Sequence, residues 1–315
     1  MADIKKIGVV GCGYVGSTVA YTLMESGMFN EMVLIDINEA KARGEALDLG
    51  HCLPFLSPMR IYQTTYSGLS DASIVVLAAG VNQREGETRL DLLNRNAEIF
   101  GDIVRRITEV NRECILLVVT NPVDILTYVT LTLSRFAPNR VIGSGTVLDT
   151  ARLKYLVGAR LGVDARNVHS FIIGEHGDSE LAVWSSANVS GIDLREYCEL
   201  CGKSCMNELY GLFDYVKNSA YEIIRGKGAT YYAIAQSTMR IIRSIVSDEK
   251  SILPVTTYLS GHYGLSDICL SVPAVIGENG IEYVPDIPLD EDEKRRLMLS
   301  AETISGYIDK LGIRV

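Results

Sequence analysis

At 315 residues the chain is long enough for about two domains and for a sizeable core without disulfide or metal support. Hydrophobic residues at 47% and charged residues at 22% exclude global disorder and fibrous repeats. With 30 Lys and Arg against 39 Asp and Glu the formal charge is −9, and no local basic patch offsets it, which argues against nucleic acid as a partner.

The residues up to Val10 carry no long apolar segment and no cleavage signature, so they read as a first strand, and the cytoplasm is the expected compartment. No apolar run reaches the roughly 18 to 20 residues that a membrane helix needs, and mean hydropathy is only +0.16. Lys6 to Val10 predicts a strand, Tyr14 to Glu25 a helix, Met32 to Ile37 a strand and Glu39 to Leu49 a helix. Further strands are predicted at Arg60 to Thr65, Ser73 to Ala79 and Cys114 to Val119. The last two are almost unbroken apolar runs, as expected of parallel strands covered on both faces. Helices are predicted from Arg89 to Val110 and from Val123 to Ser134, and a strand at Arg140 to Ile142 is expected to close the sheet. The alternation is that of an α/β doubly wound parallel sheet.

Beyond Gly143 the rhythm changes to that of a mixed α+β domain, with no linker rich in Pro, Gly or Ser. Helices are predicted at Asp149 to Leu161, Asp193 to Ile224, Ala229 to Ser247 and Asp290 to Leu311, and strands at Val168 to Ile173 and Ile268 to Ile276.

Gly11-Cys12-Gly13-Tyr14-Val15-Gly16 sits between the first strand and the first helix, the context in which G-x-G-x-x-G binds a dinucleotide. Gly11 permits the tight turn, Gly13 the approach of a pyrophosphate, and Gly16 close packing of helix on strand. Asp36, twenty residues after Gly16, ends the second strand where an acid accepts hydrogen bonds from the adenosine ribose; the alternative is a cap for the next helix. An anionic Asp36 followed by Ile37 and Asn38 repels a 2′-phosphate, so NAD is expected over NADP.

The four histidines are His51, His169, His176 and His262; none falls in an HExxH pair, no Gly-x-Ser-x-Gly elbow is present, and no metal is expected. His176 lies in the glycine-flanked turn Gly174-Glu175-His176-Gly177-Asp178-Ser179 after an apolar strand, where a structural or a catalytic histidine fits. Asp149 and Arg152 share one helical face. They form either a local cap and ion pair, or a carboxylate that orients a histidine beside a guanidinium that grips a substrate carboxylate. Arg89 closes a polar stretch from Gln83 that suits either a lid or a solvated loop.

Six ordered motifs resemble the L-lactate and malate dehydrogenase family along nearly the whole chain. They are the glycine turn at Gly11, Gln-Arg-Glu-Gly-Glu-Thr-Arg-Leu-Asp-Leu from Gln83, Thr-Asn-Pro-Val-Asp from Thr120, Gly-Ser-Gly-Thr-Val-Leu-Asp-Thr-Ala-Arg from Gly143, Gly-Glu-His-Gly-Asp-Ser-Glu from Gly174 and Lys-Gly-Ala-Thr-Tyr-Tyr from Lys227. The resemblance implies a Rossmann NAD-binding domain at 1–143 and a substrate-binding catalytic domain at 144–315. It implies that His176 donates and accepts the proton, that Asp149 holds its ring, that Arg89 polarises the substrate carbonyl and that Arg152 clamps the substrate carboxylate. Asn121, Ser144, Thr230 and Ile234 would line the nicotinamide and substrate pocket, and Val15 would join Gly11, Gly13, Gly16 and Asp36 in holding NAD.

Malate enzymes of the family carry Arg six residues before the loop arginine; here that position is Gln83, which implies pyruvate and L-lactate, although the neighbouring Arg84 complicates the choice. Malate, a bulkier 2-hydroxy acid, or a catalytically silent NAD-binding protein are the alternatives. Bacterial members that bind fructose 1,6-bisphosphate use an Arg and a His at positions matched here by Lys154 and His169, with an ordinary surface role as the alternative. A homotetramer is the implied assembly. Cys198, Cys201 and Cys205 read as buried small hydrophobes rather than ligands, and a reagent that modifies Cys12 is expected to block the cofactor site.

Overall fold

A computed structural model of the chain describes residues 5–81, 89–201 and 206–313, with the Arg89 side chain excluded. Gln83, Arg84 and Cys205 therefore lie outside the described residues. The first half runs β1 (Lys6–Val10), α1 (Tyr14–Ser26), β2 (Glu31–Ile35), α2 (Glu39–Cys52), β3 (Arg60–Gln63), β4 (Ile74–Leu77), α3 (Arg89–Val110), β5 (Ile115–Val118), α4 (Val123–Ser134) and β6 (Val141–Gly143). The second half runs α5 (Val147–Leu161), β7 (Val168–Ile173), β8 (Leu181–Val189), β9 (Ile192–Asp193), α6 (Leu194–Leu200), α7 (Met206–Lys227), α8 (Tyr232–Val246), β10 (Ser251–Ser260), β11 (Ser266–Gly277), β12 (Gly280–Tyr283) and α9 (Glu291–Leu311).

Among the described residues the larger sheet has the order β12-β11-β10-β6-β5-β4-β1-β2-β3, and β7, β8 and β9 form a smaller antiparallel one. Strands β1 to β6 are parallel, and β1, β4 and β5 are buried at every position, because helices cover both faces. The expectation that the strand near Ile142 closes the sheet is corrected: β10 pairs antiparallel with β6 at Thr256 and Gly143, and β11 and β12 extend the sheet further. Two hydrophobic clusters accordingly draw residues from both halves, from Val10 to Ile308 in one and from Ile7 to Ile281 in the other. A third, from Leu153 to Val216, lies wholly in the second half and packs α5 against β7, β8 and α7.

The single helix expected from Asp193 to Ile224 is two, α6 ending at Leu200 and α7 beginning at Met206. Cys198 is buried on α6, packed in the third cluster and disulfide-bonded, and Cys201 is exposed and free, so the reading of these cysteines as buried holds for Cys198 and is corrected for Cys201. No described helix is long and apolar enough to cross a membrane.

Candidate functional site

The strand order reverses between β1 and β4, and the crevice of a doubly wound sheet opens at such a point, beyond the carboxyl ends of the strands. A cavity of about 860 Å³ lies there, lined by Gly11 and Gly13 after β1, Asp36 after β2 and Ala79 and Gly80 after β4. Gly11 has φ +98°, and a Cβ on it would fall 2.4 Å from the Ala79 nitrogen. A Cβ on Gly16 would meet the Gly11 carbonyl oxygen at 1.8 Å, whereas one on Gly13 would meet nothing within 4 Å. Gly11 and Gly16 are thus required by the fold, and Gly13 leaves space for a ligand. No side chain caps the amino end of α1 at Gly13, so its N–H groups and positive dipole end remain available to an anion.

Asp36 stands at the rim of this cavity with Oδ2 accepting from the Cys12 N–H at 2.7 Å and Oδ1 from the Asn38 N–H at 2.9 Å. The helix cap is instead Asn38, which accepts from the Lys41 N–H, so the alternative role for Asp36 is filled by another residue. These residues fit a dinucleotide: an uncapped helix end for the pyrophosphate, an open glycine and a carboxylate for the ribose. Cys12 itself is 1% exposed and its thiol is pushed up to about 12 by burial and by Asp36. The expected modification at Cys12 is therefore corrected, since little thiolate forms and little of the side chain is reachable.

The second cluster is built from three elements. Thr146 Oγ1 donates to the Ile172 carbonyl, and the Ile172 N–H donates to Thr150 Oγ1 at 2.8 Å, which clips the first turn of α5 to the end of β7. Asp149 lies in that turn and His176 just after that strand. The histidine loop is pinned from three sides: Gly174 pairs with Ser271 on β11, the Glu175 N–H donates to Ser300 on α9, and the His176 N–H donates to Asp124 Oδ2 on α4 at 2.7 Å. Gly174 takes φ +94°, and its Cβ would fall 2.8 Å from Ser300 Oγ, so the glycine before this loop is a steric requirement.

Asp149 Oδ2 lies 2.6 Å from His176 Nδ1, and Asp149 Oδ1 accepts from Arg152 Nη1 at 2.8 Å. The carboxylate side chain is 3% exposed, and the imidazole 24%. Asp149 is thus ion-paired locally with Arg152 and hydrogen-bonded across the fold to His176. With Nδ1 committed to Asp149, Nε2 is the ring nitrogen left to exchange a proton, and among the described residues it has no protein partner. Burial works against the charged imidazolium, but the Asp149 charge and hydrogen bond outweigh it and carry His176 up to about 9. Burial likewise opposes the charged form of Asp149, and His176 and Arg152 together still hold its carboxyl below the ordinary range. A proton donor paired with a cationic anchor is suited to reducing the carbonyl of a small anion.

Ser144 is buried after β6, and Asn121 is exposed just beyond β5. Val15 and Ile234 border the same hydrophobic cluster, Ile234 from the first turn of α8, and Thr230 precedes that helix. Arg89 is the first residue of α3. His169 is exposed on β7, and Lys154 is half-buried on α5 with its ammonium held down by burial and by Arg240. Two buried carboxyls beside the histidine, Asp124 and Glu180, were not singled out from sequence, although each ends one of the six quoted motifs.

Residues 5–143 match the lactate/malate dehydrogenase NAD binding domain, and residues 146–312 match the lactate/malate dehydrogenase alpha/beta C-terminal domain. The chain belongs to the lactate/malate dehydrogenase family. It is 54% identical over 312 residues to the L-lactate dehydrogenase of Acetivibrio thermocellus, covering 98% of each chain, and 50% identical over 311 residues to that of a Thermoanaerobacter species, covering 98% of this chain and all of the relative. Among solved structures, the minor L-lactate dehydrogenase of Enterococcus mundtii superposes with a TM-score of 0.95 at 43% identity, covering 97% of this chain and 98% of that one. A lactate dehydrogenase from a deep-sea metagenome gives 0.96 at 42% identity, covering 98% and 99%. Like the rest of this family the chain is an NAD-dependent oxidoreductase of 2-hydroxy acids, and the crevice beside Gly11 and Asp36 belongs to its NAD-binding domain.

Proposed function

We propose that the chain interconverts pyruvate and (S)-lactate as an L-lactate dehydrogenase, with His176 as proton donor and acceptor. The observation that carries this reading is the buried Asp149 bonded at once to His176 and Arg152, which sets a proton donor beside an anchor for a carboxylate. Bound NAD supplies and takes up the hydride. Arg152 turns its remaining N–H donors to the substrate carboxylate as a fork, which fixes the keto oxygen near Nε2. His176 gives its proton to that oxygen during reduction and regains it during oxidation, while Asp149 keeps the ring in one tautomer and stabilises the imidazolium. Arg89 is assigned the developing charge on the oxygen. Asn121, Ser144, Thr230 and Ile234 are assigned to the wall between nicotinamide and substrate, and Val15 with Gly11, Gly13, Gly16 and Asp36 to the cofactor. The experiment is NADH oxidation on adding pyruvate, with the lactate formed tested for handedness; no pyruvate-dependent turnover would leave a silent NAD-binding protein.

Gln83, although outside the described residues, is assigned the choice of acid. A second carboxylate facing this neutral side chain loses its water without gaining a cation. Gln83→Arg is expected to shift preference toward oxaloacetate by orders of magnitude in kcat/KM, and an undiminished pyruvate preference removes Gln83 from this role.

The enzyme is assigned to the cytoplasm and to a homotetramer, with Lys154 and His169 as contacts for fructose 1,6-bisphosphate. Lysine meets a phosphate as a point charge, without the arginine fork. Adding the bisphosphate is expected to lower the half-saturating pyruvate concentration, and an unchanged value removes both residues from effector binding.

A further inference from the structure

Glu180 immediately precedes β8 and is 3% exposed, a rare state for a carboxyl group that has no ion-pair partner among the described residues. Its N–H donates to the Gly177 carbonyl at 3.3 Å, which closes the turn and returns the side chain toward the histidine. A carboxyl oxygen of Glu180 lies within 4.8 Å of both an imidazole nitrogen of His176 and a carboxylate oxygen of Asp149. No hydrogen bond from the Glu180 carboxyl to a protein group is found among the described residues. Asp149 gives one oxygen to His176 Nδ1 and the other to Arg152, so the carboxylate already faces two donors and Nδ1 is committed.

The charged groups around Glu180 come from several elements. Asp149 and Arg152 face it from α5, His176 from the loop after β7, and Lys217 from α7, where Lys217 Nζ also donates to the Asp178 carbonyl. Asp124 on α4 acts on the same imidazole from the far side. Burial and the Asp149 charge raise Glu180 to about 8, against the opposing pull of His176, Lys217 and Arg152. It therefore carries its proton at neutral pH and loses it close to where the imidazole loses its own.

We propose that Glu180 is a positioning residue for proton transfer: a third buried carboxyl, within 4.8 Å of the His176–Asp149 pair, whose charge sets how tightly the imidazole holds its proton. The inference rests on the proposed proton-transfer role of His176. With Glu180 protonated, the trio of Asp149, His176 and Glu180 is neutral while the imidazole is charged, and Arg152 is the nearest charge offered to a substrate anion. Once Glu180 ionises, it holds the His176 proton more tightly and repels the incoming anion. The first effect displaces the onset of (S)-lactate oxidation, which needs a neutral imidazole, toward alkaline pH, and the second lowers the rate reached beyond it.

The test compares the wild-type chain with Glu180→Gln and Glu180→Asp. In the cofactor-free protein the His176 imidazole is followed by nuclear magnetic resonance across pH. Glu180→Gln is expected to lower its midpoint by about half a pH unit or more, roughly a threefold change in the dissociation constant, and Glu180→Asp to restore part of the difference. The pH at which kcat/KM for (S)-lactate reaches half its maximum should fall in the same variant. Superimposable His176 titrations would overturn the proposal. This measurement needs no substrate, so a wild-type chain that fails to oxidise lactate would remove the proposed function and still leave Glu180 judged. If Glu180→Gln does not fold, carbon-13 glutamate labelling of the wild type decides: a carboxyl that titrates with the imidazole supports the coupling, and glutamates confined to the ordinary acidic range overturn it.

Discussion

Asp149→Asn lowers kcat/KM for pyruvate by roughly 10³- to 10⁴-fold, the scale expected when the carboxylate that orients a proton-transferring histidine becomes neutral. The amide occupies the same volume, so the packing of α5 on β7 is retained, but it can no longer serve both neighbours. Its oxygen can accept from either Nδ1–H or Arg152, and its NH₂ then faces a second donor, which favours the wrong ring tautomer or leaves the guanidinium unpaired. Because Asp149 is what lifts His176 to about 9 against burial, its removal returns the imidazole toward or below its ordinary 6.5. The alkaline limb of pyruvate reduction therefore moves to lower pH, since that direction needs the imidazolium. At any fixed pH, kcat/KM for lactate falls by the same factor, because the overall equilibrium is unchanged as long as the variant binds NAD and NADH normally. Steady-state rates in both directions check this, and a loss smaller than tenfold would show that Asp149 serves only the fold.

Arg152→Lys is the second large effect. Lysine keeps the charge, yet one ammonium cannot reach Asp149 Oδ1 and also present two parallel donors to a carboxylate. Losing one or two charge-assisted hydrogen bonds at about 1.5 to 3 kcal/mol each predicts a fall of roughly 10 to 10⁴ in kcat/KM for pyruvate. The loss should appear mainly as a higher KM, because the anchor acts on substrate and transition state alike, and NADH affinity should be retained. A KM within a few-fold of wild type would mean that another group binds the carboxylate.

Much of this site was legible because its parts are local. The observed bounds of α4 and β7 coincide with those expected from apolar spacing, and the glycine turn carries its own steric logic in Gly11 and Gly16. Strand β10 was missed because Pro254 and the polar pair Thr256 and Thr257 break up its apolar residues, whereas β11 keeps a longer apolar run around Pro273. Strand β8 was missed because its burial does not alternate along its length. Asp124 and Glu180 escaped notice for a different reason. Each carboxyl gains its role from what folding packs against it: the His176 N–H at a separation of 52 residues for Asp124, and the Asp149 charge on α5 for Glu180. Local patterns do not encode such neighbours.

The most direct test is kcat/KM for pyruvate and for oxaloacetate on the unaltered chain, with NADH saturating and pH held neutral. A neutral Gln83 and a single carboxylate anchor at Arg152 predict a pyruvate preference of about 10²-fold or more. Equal rates, or a preference for oxaloacetate, would contradict the assignment as an L-lactate dehydrogenase while leaving the proton-transferring His176 and Asp149 in place.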